Sequence, residues 1–475
     1  MALGRHIARD YDRGYGHLST RQNMQFNWPA LQDVPDILQV LADVEMHAIQ
    51  TSGSCIRNVT TDQFAGAAAD EDIDPRPYCE LLRQWSTSHP EFEWLPRKFK
   101  IAVTGAKNDR AAIGVHDIGL RVHGNDTQPE SALVDIYAGG GLGRTPVLGA
   151  LIQENLPVQH LLTYIEAIMR VYNRYGRRDN KYKARIKILV RALSAEGFKA
   201  KVDEEWQAIK DGSSTVPSQE LRRLSVFFQP PAFSQQPDAE ASLADARLTH
   251  RNFDRWITHN VIPHRDKGYA VVTLSTKSVG VPPGDVSAEQ IDAVATWATR
   301  YSFSEIRISH EQNFVLPHVA KGDLFELWQQ AEAQGLGSFN MGLISDIVCC
   351  PGGDYCSLAN AKSLPVAEAI QRRFADYDFQ FDLGELDLNI SGCMNACGHH
   401  HVGHIGILGV DKKGKEFYQI SLGGHSGHSA QAPKLGQIVG PSVPRSEVCD
   451  VIEKILLVYL GRRFDGESFL GCSTE

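Results

Sequence analysis

The sequence predicts an α+β protein built as a pseudo-two-fold duplication, two related halves within 475 residues. Two internal matches and one change of composition carry that reading. Segment 8–38, moved by 290 positions, lies on 298–328 without a gap, so that Ala8, Tyr11, Gln22, Asn23, Ala30 and Asp33 meet Ala298, Tyr301, Gln312, Asn313, Ala320 and Asp323. Segment 103–119, moved by 287, lies on 390–406, with Gly105, Asn108, Val115, Ile118 and Gly119 on Gly392, Asn395, Val402, Ile405 and Gly406. Between the halves, Phe228–Ser242 turns rich in Pro, Gln and Ser, the composition of a connection.

Taken in order, each copy of the first repeat reads as strand, polar turn, strand and helix. Val34, Ile37, Leu38 and Leu41 recur at i, i+3, i+4 and i+7, as do Leu324, Leu327, Trp328 and Ala331, the spacing of one helical face. The second copy has more upstream. Tyr269–Leu274 is rich in Val and Thr and reads as a strand. Ser287-Ala-Glu-Gln290 has the form of a capping box, opening a helix that carries Ile291, Val294, Ala295 and Ala298. Subtracting 290 from these positions gives numbers mostly at or below zero. The first copy is therefore expected to lack the opening strand and most of the first helix. In the second repeat, Cys393 falls on Ala106 and Cys397 on Arg110, so only the second half carries sulfur there. Ala138-Gly-Gly-Gly141 answers Leu422-Gly-Gly-His425.

The composition narrows the function. The length exceeds what one hydrophobic core usually fills, so several domains are expected. A net charge of −9 argues against general nucleic-acid binding. There is no apolar run long enough for a membrane span or for the core of a signal peptide. Nine cysteines in such a chain point to metal binding in a reducing compartment, the cytoplasm, over a disulfide framework.

Four of those cysteines are patterned. Cys350-Pro-Gly-Gly-Asp-Tyr-Cys356 is followed, 36 residues on, by Ser-Gly-Cys393-Met-Asn-Ala-Cys397-Gly. Thiolates are soft ligands that take zinc, copper(I) or iron–sulfur clusters. C-x5-C is long for a zinc knuckle, and the common ferredoxin runs are absent. His399, His400, His401, His404, His425 and His428 lie nearby and keep a structural zinc site as an alternative. Cys349 is not expected to be a ligand.

The pattern C-P-x4-C followed by S-G-C-x-N-x-C-G resembles that of the sulfite and nitrite reductases that contain sirohaem and a [4Fe-4S] cluster. One departure is Met394, where that family usually has proline. The resemblance spans nearly the whole chain. It implies that Cys350, Cys356, Cys393 and Cys397 hold a cubane cluster, with the Cys397 thiolate bridging to the sirohaem iron. It implies a first ferredoxin-like half-domain at 1–70, a first sirohaem-binding domain at 71–227, a linker at 228–262, a second ferredoxin-like half-domain at 263–345, and a cluster and sirohaem domain at 346–475. The two sirohaem and cluster domains, 71–227 and 346–475, are expected to be mixed α/β. Against the family, the chain looks short at both ends, and an arginine carried by the family's opening strand has no counterpart here.

The basic residues follow the same resemblance. His17–Phe26 resembles a motif whose arginine and second glutamine face the sirohaem, here Arg21 and Gln25. Gly53–Val59 resembles one whose arginine sits over the distal face, here Arg57. In Leu95–Val103, Lys98 and Lys100 project to one side of an extended strand and repel each other unless an anion or solvent intervenes. The same string in the family points its lysines at the bound oxyanion. Arg178, Arg185 and Lys187 lie in a basic run that the family places near the sirohaem carboxylates; by itself such a run reads as a solvated face. The glycine run at 139–143 is neither a dinucleotide fingerprint nor a P-loop. Without a flavin or NAD(P) motif, electrons are expected from a separate protein, a ferredoxin or a flavoprotein subunit. The expected reaction is the six-electron reduction of sulfite to sulfide, with nitrite to ammonia second. A non-catalytic electron carrier is the reading from another class.

Overall fold

The computed structural model describes residues 2–235, 239–427 and 432–472. The chain opens with α1 (Ala2–His6), β1 (Tyr15–Leu18), β2 (Met24–Gln25) and α2 (Val34–Ala42). Next come β3 (Thr60–Thr61), α3 (Arg76–Ser86), β4 (Ile101–Thr104), β5 (Ile118–His123), β6 (Leu133–Ala138), β7 (Ala150–Pro157) and α4 (Leu161–Tyr175). Helices α5 (Ile186–Leu193), α6 (Ala195–Ile209) and α7 (Ser218–Ser225) complete the first half.

The second half starts with α8 (Ala239–Thr249), α9 (Arg251–Asn260), β8 (Val261–Pro263), β9 (Tyr269–Leu274), β10 (Asp285–Ser287) and α10 (Ala288–Tyr301). It continues through β11 (Arg307–Ile308), β12 (Phe314–Ala320), α11 (Leu324–Ala333), β13 (Val348–Cys349), α12 (Leu364–Arg373), α13 (Tyr377–Leu383) and β14 (Leu388–Ser391). It closes with β15 (Ile405–Lys412), β16 (Lys415–Leu422), β17 (Gln437–Pro444), α14 (Val448–Arg462) and α15 (Phe469–Cys472).

The duplication is visible strand by strand. The sheets β3-β4-β5-β6-β7 and β13-β14-β15-β16-β17 have the same order. In both, the first two pairings are parallel and the last two antiparallel. Ile101 pairs with Ile118 as Leu388 pairs with Ile405, an offset of 287 on both strands. The paired glycine runs are explained by contact. A Cβ on Gly140 would fall 2.4 Å from the His116 carbonyl, and one on Gly424 would fall 2.5 Å from that of His401, so both loops need backbone approach that only glycine allows.

The smaller repeat is less symmetric. Strands β8, β9, β12 and β11 form one antiparallel sheet, and α11 buries Leu324, Leu327, Trp328 and Ala331 against it. In the first copy, β1 pairs with β2 and with β10, a strand from the second half. Ala8 and Leu18 are buried in the same core as Trp256, Val272, Leu316 and Leu327. Helix α2 forms as its periodicity predicts, yet none of its residues is buried and Leu38 is 47 % exposed.

The stretch 228–262, expected as a linker, is largely structured. Helices α8 and α9 occupy 239–260, and Phe253 and Trp256 are fully buried in that shared core. The Pro-rich composition stops short of these aromatic residues.

Candidate functional site

All four patterned cysteines follow the carboxyl ends of parallel strands, where α/β sheets leave crevices for ligands. Cys350 directly follows β13, and Cys393 to Cys397 form the turn after β14. The glycines and caps there are tightly bonded. The Gly392 N–H donates to Cys350 Sγ at 3.2 Å, Gly398 N–H donates to Ser391 Oγ at 3.1 Å, and Ala396 takes a left-handed φ of 55°. Cys393 is buried and Cys397 exposed. Burial pushes the Cys350 and Cys393 thiols up, and the adjacent Cys397 sulfur pushes each further. These sulfurs are near enough to sense one another. Cys349 points elsewhere, fully buried, with its Sγ on the Cys350 carbonyl.

The first half reaches this loop directly. Thr20, in the β1–β2 turn, donates from Oγ1 to the Cys397 carbonyl at 2.8 Å. His310, the residue that matches Thr20 in the repeat, lies 3.2 Å from the Thr20 carbonyl and 3.0 Å from that of Thr61. The glycine loop of the first half also comes close: a Cβ on Gly143 would stand 3.5 Å from the Met394 carbonyl.

Beside the cysteines lies a cluster of cations. Lys98 and Lys100 flank Phe99, whose N–H donates to the Cys55 carbonyl at 3.0 Å and whose carbonyl accepts from Arg57 N–H at 2.8 Å. Phe99 is fully buried, so the two lysines project to the opposite side. Arg21 donates to Asn58 O at 2.5 Å and Thr60 Oγ1 at 3.1 Å. Burial, reinforced by Arg57 and Arg185, holds its guanidinium down to about 9 despite Asp117. Lys100 is pushed well below the usual lysine value by burial first and then by Arg21, Lys98 and Arg185. Lys98 is lowered mainly by burial, with the nearby Cys397 opposing. Arg57 is lowered by burial, with Arg97 and Arg185 adding and Cys55 opposing; its guanidinium rests on the Thr51 and Gly53 carbonyls.

Asp117 was not singled out from the sequence and organises this cluster. Fully buried, it holds Arg185 in a two-pronged bridge of 2.9 and 2.7 Å and accepts the Lys100 backbone N–H at 2.8 Å. Its only sequence signal was its place in Val115-His-Asp-Ile-Gly119, where the second copy has His404. A site this rich in buried cations is costly without an anion. A polycarboxylate cofactor and an oxyanion both fit that demand. His400, 2 % exposed, has both ring nitrogens without a protein partner, a further opening for a bound group.

The remaining expected residues separate. Gln25 is exposed on β2. Arg178 is exposed and bonded to Asn173 at the end of α4. The Lys187 ammonium donates to the Gly141, Leu142 and Thr145 carbonyls at 3.2, 2.8 and 2.6 Å. These bonds close the glycine loop. The histidines face different neighbours. His401 Nε2 lies 3.0 Å from the Gly143 carbonyl and His404 3.5 Å from Asp387, while His428 lies outside the described residues. Among the described residues, no three His, Cys, Asp or Glu side chains are placed to share one metal ion.

Comparison with known proteins decides the family. The sequence profile described as "Nitrite and sulphite reductase 4Fe-4S domain" matches residues 52–210 and 341–468. The chain belongs to the nitrite and sulphite reductase family. A second profile, "Nitrite/Sulfite reductase ferredoxin-like half domain", matches residues 5–44 and 262–334. Sulfite reductase [ferredoxin] 1 of Mycolicibacterium paratuberculosis is 27 % identical over 477 residues, 98 % of this chain and 77 % of that protein. The chloroplastic ferredoxin–nitrite reductase of Arabidopsis thaliana is 26 % identical over 481 residues, 96 % of this chain and 72 % of that protein. The fold matches the solved structure of the Mycobacterium tuberculosis NirA protein with a TM-score of 0.78 at 24 % identity, covering 100 % of this chain and 80 % of that one. This member of the family is an oxidoreductase with sirohaem and a [4Fe-4S] cluster as cofactors. Among its described residues no helix is long and apolar enough to cross a membrane.

Proposed function

We infer that the protein reduces sulfite to sulfide by six electrons, taking them one at a time from ferredoxin in the cytoplasm. One observation carries this reading: Cys397, in the turn after β14, is close enough to act on both Lys98 and Lys100, which cluster with Arg21, Arg57 and Arg185. The names of the sulfite reductase [ferredoxin] relatives support both the substrate and the donor. The nine free thiols suit a reducing compartment.

In this reading Cys350, Cys356, Cys393 and Cys397 would hold the cluster, and Cys397 would also serve the sirohaem. Bound there, the two cofactors supply the electrons and the metal at which oxygen is removed. The chain supplies charge and protons. Lys98, Lys100 and Arg57 draw in the dianion and fix its oxygens. Lysines whose pKa has been lowered by burial give up protons more readily near neutral pH, so Lys98 and Lys100 act as general acids as each oxygen leaves as water. Asp117 keeps Arg185 and the Lys100 backbone in place. Arg178, Arg185 and Lys187 are assigned to the cofactor carboxylates, and Arg21 and Gln25 to the face of the sirohaem.

Nitrite is the rival substrate, since ferredoxin–nitrite reductases are nearly as similar. Steady-state kinetics of the cofactor-loaded protein with reduced ferredoxin and each anion separate the two. A higher kcat/KM for sulfite, with sulfide as product, is expected. A higher value for nitrite, with ammonium as product, would replace that assignment.

A further inference from the structure

The duplication relates two clefts as well as two halves. The hydrogen bonds that set the catalytic lysines recur at the second copy. Ile118 N–H donates to the Lys100 carbonyl at 3.1 Å, and Ile405 N–H donates to that of Asp387 at 3.0 Å. Phe99 N–H donates to Cys55 O at 3.0 Å, and Leu386 N–H to Gly342 O at 2.9 Å. In the turns, Ser19 N–H donates to Asn23 O at 2.8 Å as Ser309 N–H does to Asn313 O at 2.9 Å, and Gln22 and Gln312 share a left-handed φ of 58° and 64°. These matches pair Lys98 with Glu385, Lys100 with Asp387 and Arg21 with Glu311. Each of the three cations has been exchanged for a carboxylate.

The three carboxylates line one cleft of 660 Å³, together with Asn108 and Arg110, the counterparts of Asn395 and Cys397. Nearby positive charge is mostly committed. Arg110 is bound to Asp62 and Asp70, and Lys277, fully buried, lies on the Glu311 carbonyl and 3.5 Å from Asp346. Burial lowers the pKa of His259, which keeps it neutral at pH 7. Glu311 accepts one bond from Gln63 Nε2 at 3.2 Å, and Asp387 has His404 at 3.5 Å. Glu385 is exposed.

A second observation calls for donors. Gln63 and Asn260 line the same cleft, at 4 % and 1 % exposure, and the side-chain carbonyl oxygen of each accepts no hydrogen bond from the described residues. A buried acceptor without a donor costs about 1–3 kcal/mol. A ligand with several N–H groups would satisfy these oxygens and the carboxylates together. The carboxylates are not placed for three of them to share one metal ion. Phe64, Ile262 and Phe381 give the cleft apolar wall for methylenes.

We propose that this charge-reversed copy of the catalytic cleft binds an aliphatic polyammonium ion, its ammonium groups on Glu311, Glu385 and Asp387 and its remaining N–H groups on Gln63 and Asn260. The cofactor-loaded protein, titrated calorimetrically with spermidine at fixed ionic strength, tests it. One saturable site per chain is expected, weakened about tenfold by Glu385→Gln and further by Glu311→Gln/Glu385→Gln. Glu385 is exposed, so its single variant keeps the fold even if the double variant does not, and an unchanged sirohaem spectrum verifies this. No saturable uptake, uptake indifferent to Glu385→Gln, or equal displacement by Mg²⁺ at matched charge would each overturn the proposal.

Discussion

Ala106–Arg110 and Cys393–Cys397 are the same turn after the same strand, and they are held by different means. In the first half Arg110 closes the turn, its guanidinium forked between Asp62 at 2.7 Å and Asp70 at 2.8 Å, with Asp62 fully buried. In the second half no such fork exists at Cys397, which is exposed and tied to the first half through Thr20. The sheet and its glycines define the turn in both copies. What hangs on it is free to be a structural ion pair or a set of metal-seeking sulfurs.

Replacing the sulfur should have the largest effect. Cys397→Ser is expected to bring sulfide formation to background and to lower iron per chain, read by turnover assay and metal analysis. Normal turnover with a coupled haem would dissolve the distinction between the two turns. Next, Lys100→Met should lower kcat/KM for sulfite by about 10²–10³, the usual cost of removing one preorganised charge from a reacting anion. Its counterpart Asp387→Asn should leave kcat/KM within about twofold. Equal losses at both positions would mean that the two clefts are not functionally distinct.

On stability, Arg110→Ala strands two carboxylates and should cost about 3–5 kcal/mol in denaturant unfolding. The helices give a finer contrast. Leu327→Ala, inside the core, should cost about 2–5 kcal/mol, and Ile37→Ala, on the uncovered α2, under about 1 kcal/mol. An acid effect gives a separate contrast. Burial and His401 hold His400 down to about 3, against an unfolded value near 6.5. The unfolded chain then binds the extra proton between those values, so this contribution is whole above pH 6.5 and fades as pH falls toward 3. His400→Ile, which copies Ile113 of the first half, should flatten the decline of the melting temperature from pH 6.5 to 4. An unchanged slope would show that the acid response arises elsewhere.

The sequence made the duplication legible because glycines at close backbone contacts and apolar periodicity are both local signals. The cysteines were legible for the same reason: their spacing is their information. Burial was not. Helix α2 has a proper apolar stripe, and nothing in residues 34–42 says whether a sheet covers it. Lys187 and Arg185 look alike in a basic run, yet one ends on three carbonyls and the other on Asp117. Asp117 itself is hidden, since a single aspartate beside a histidine gives no hint that Arg185, the Lys100 backbone and Arg21 converge on it. Phe253 and Trp256 are masked in the sequence by the Pro-rich run before them, whose composition is that of a tether.

The pairing of β1 with β10 has a mechanical consequence. With Ala8 and Leu18 embedded beside Trp256 and Val272, the opening strand of the chain is stapled into material encoded more than two hundred residues later. The seam that shows in the primary structure is thus not a hinge. Heating should melt both parts in one transition, and separately expressed pieces should regain their structure only when mixed.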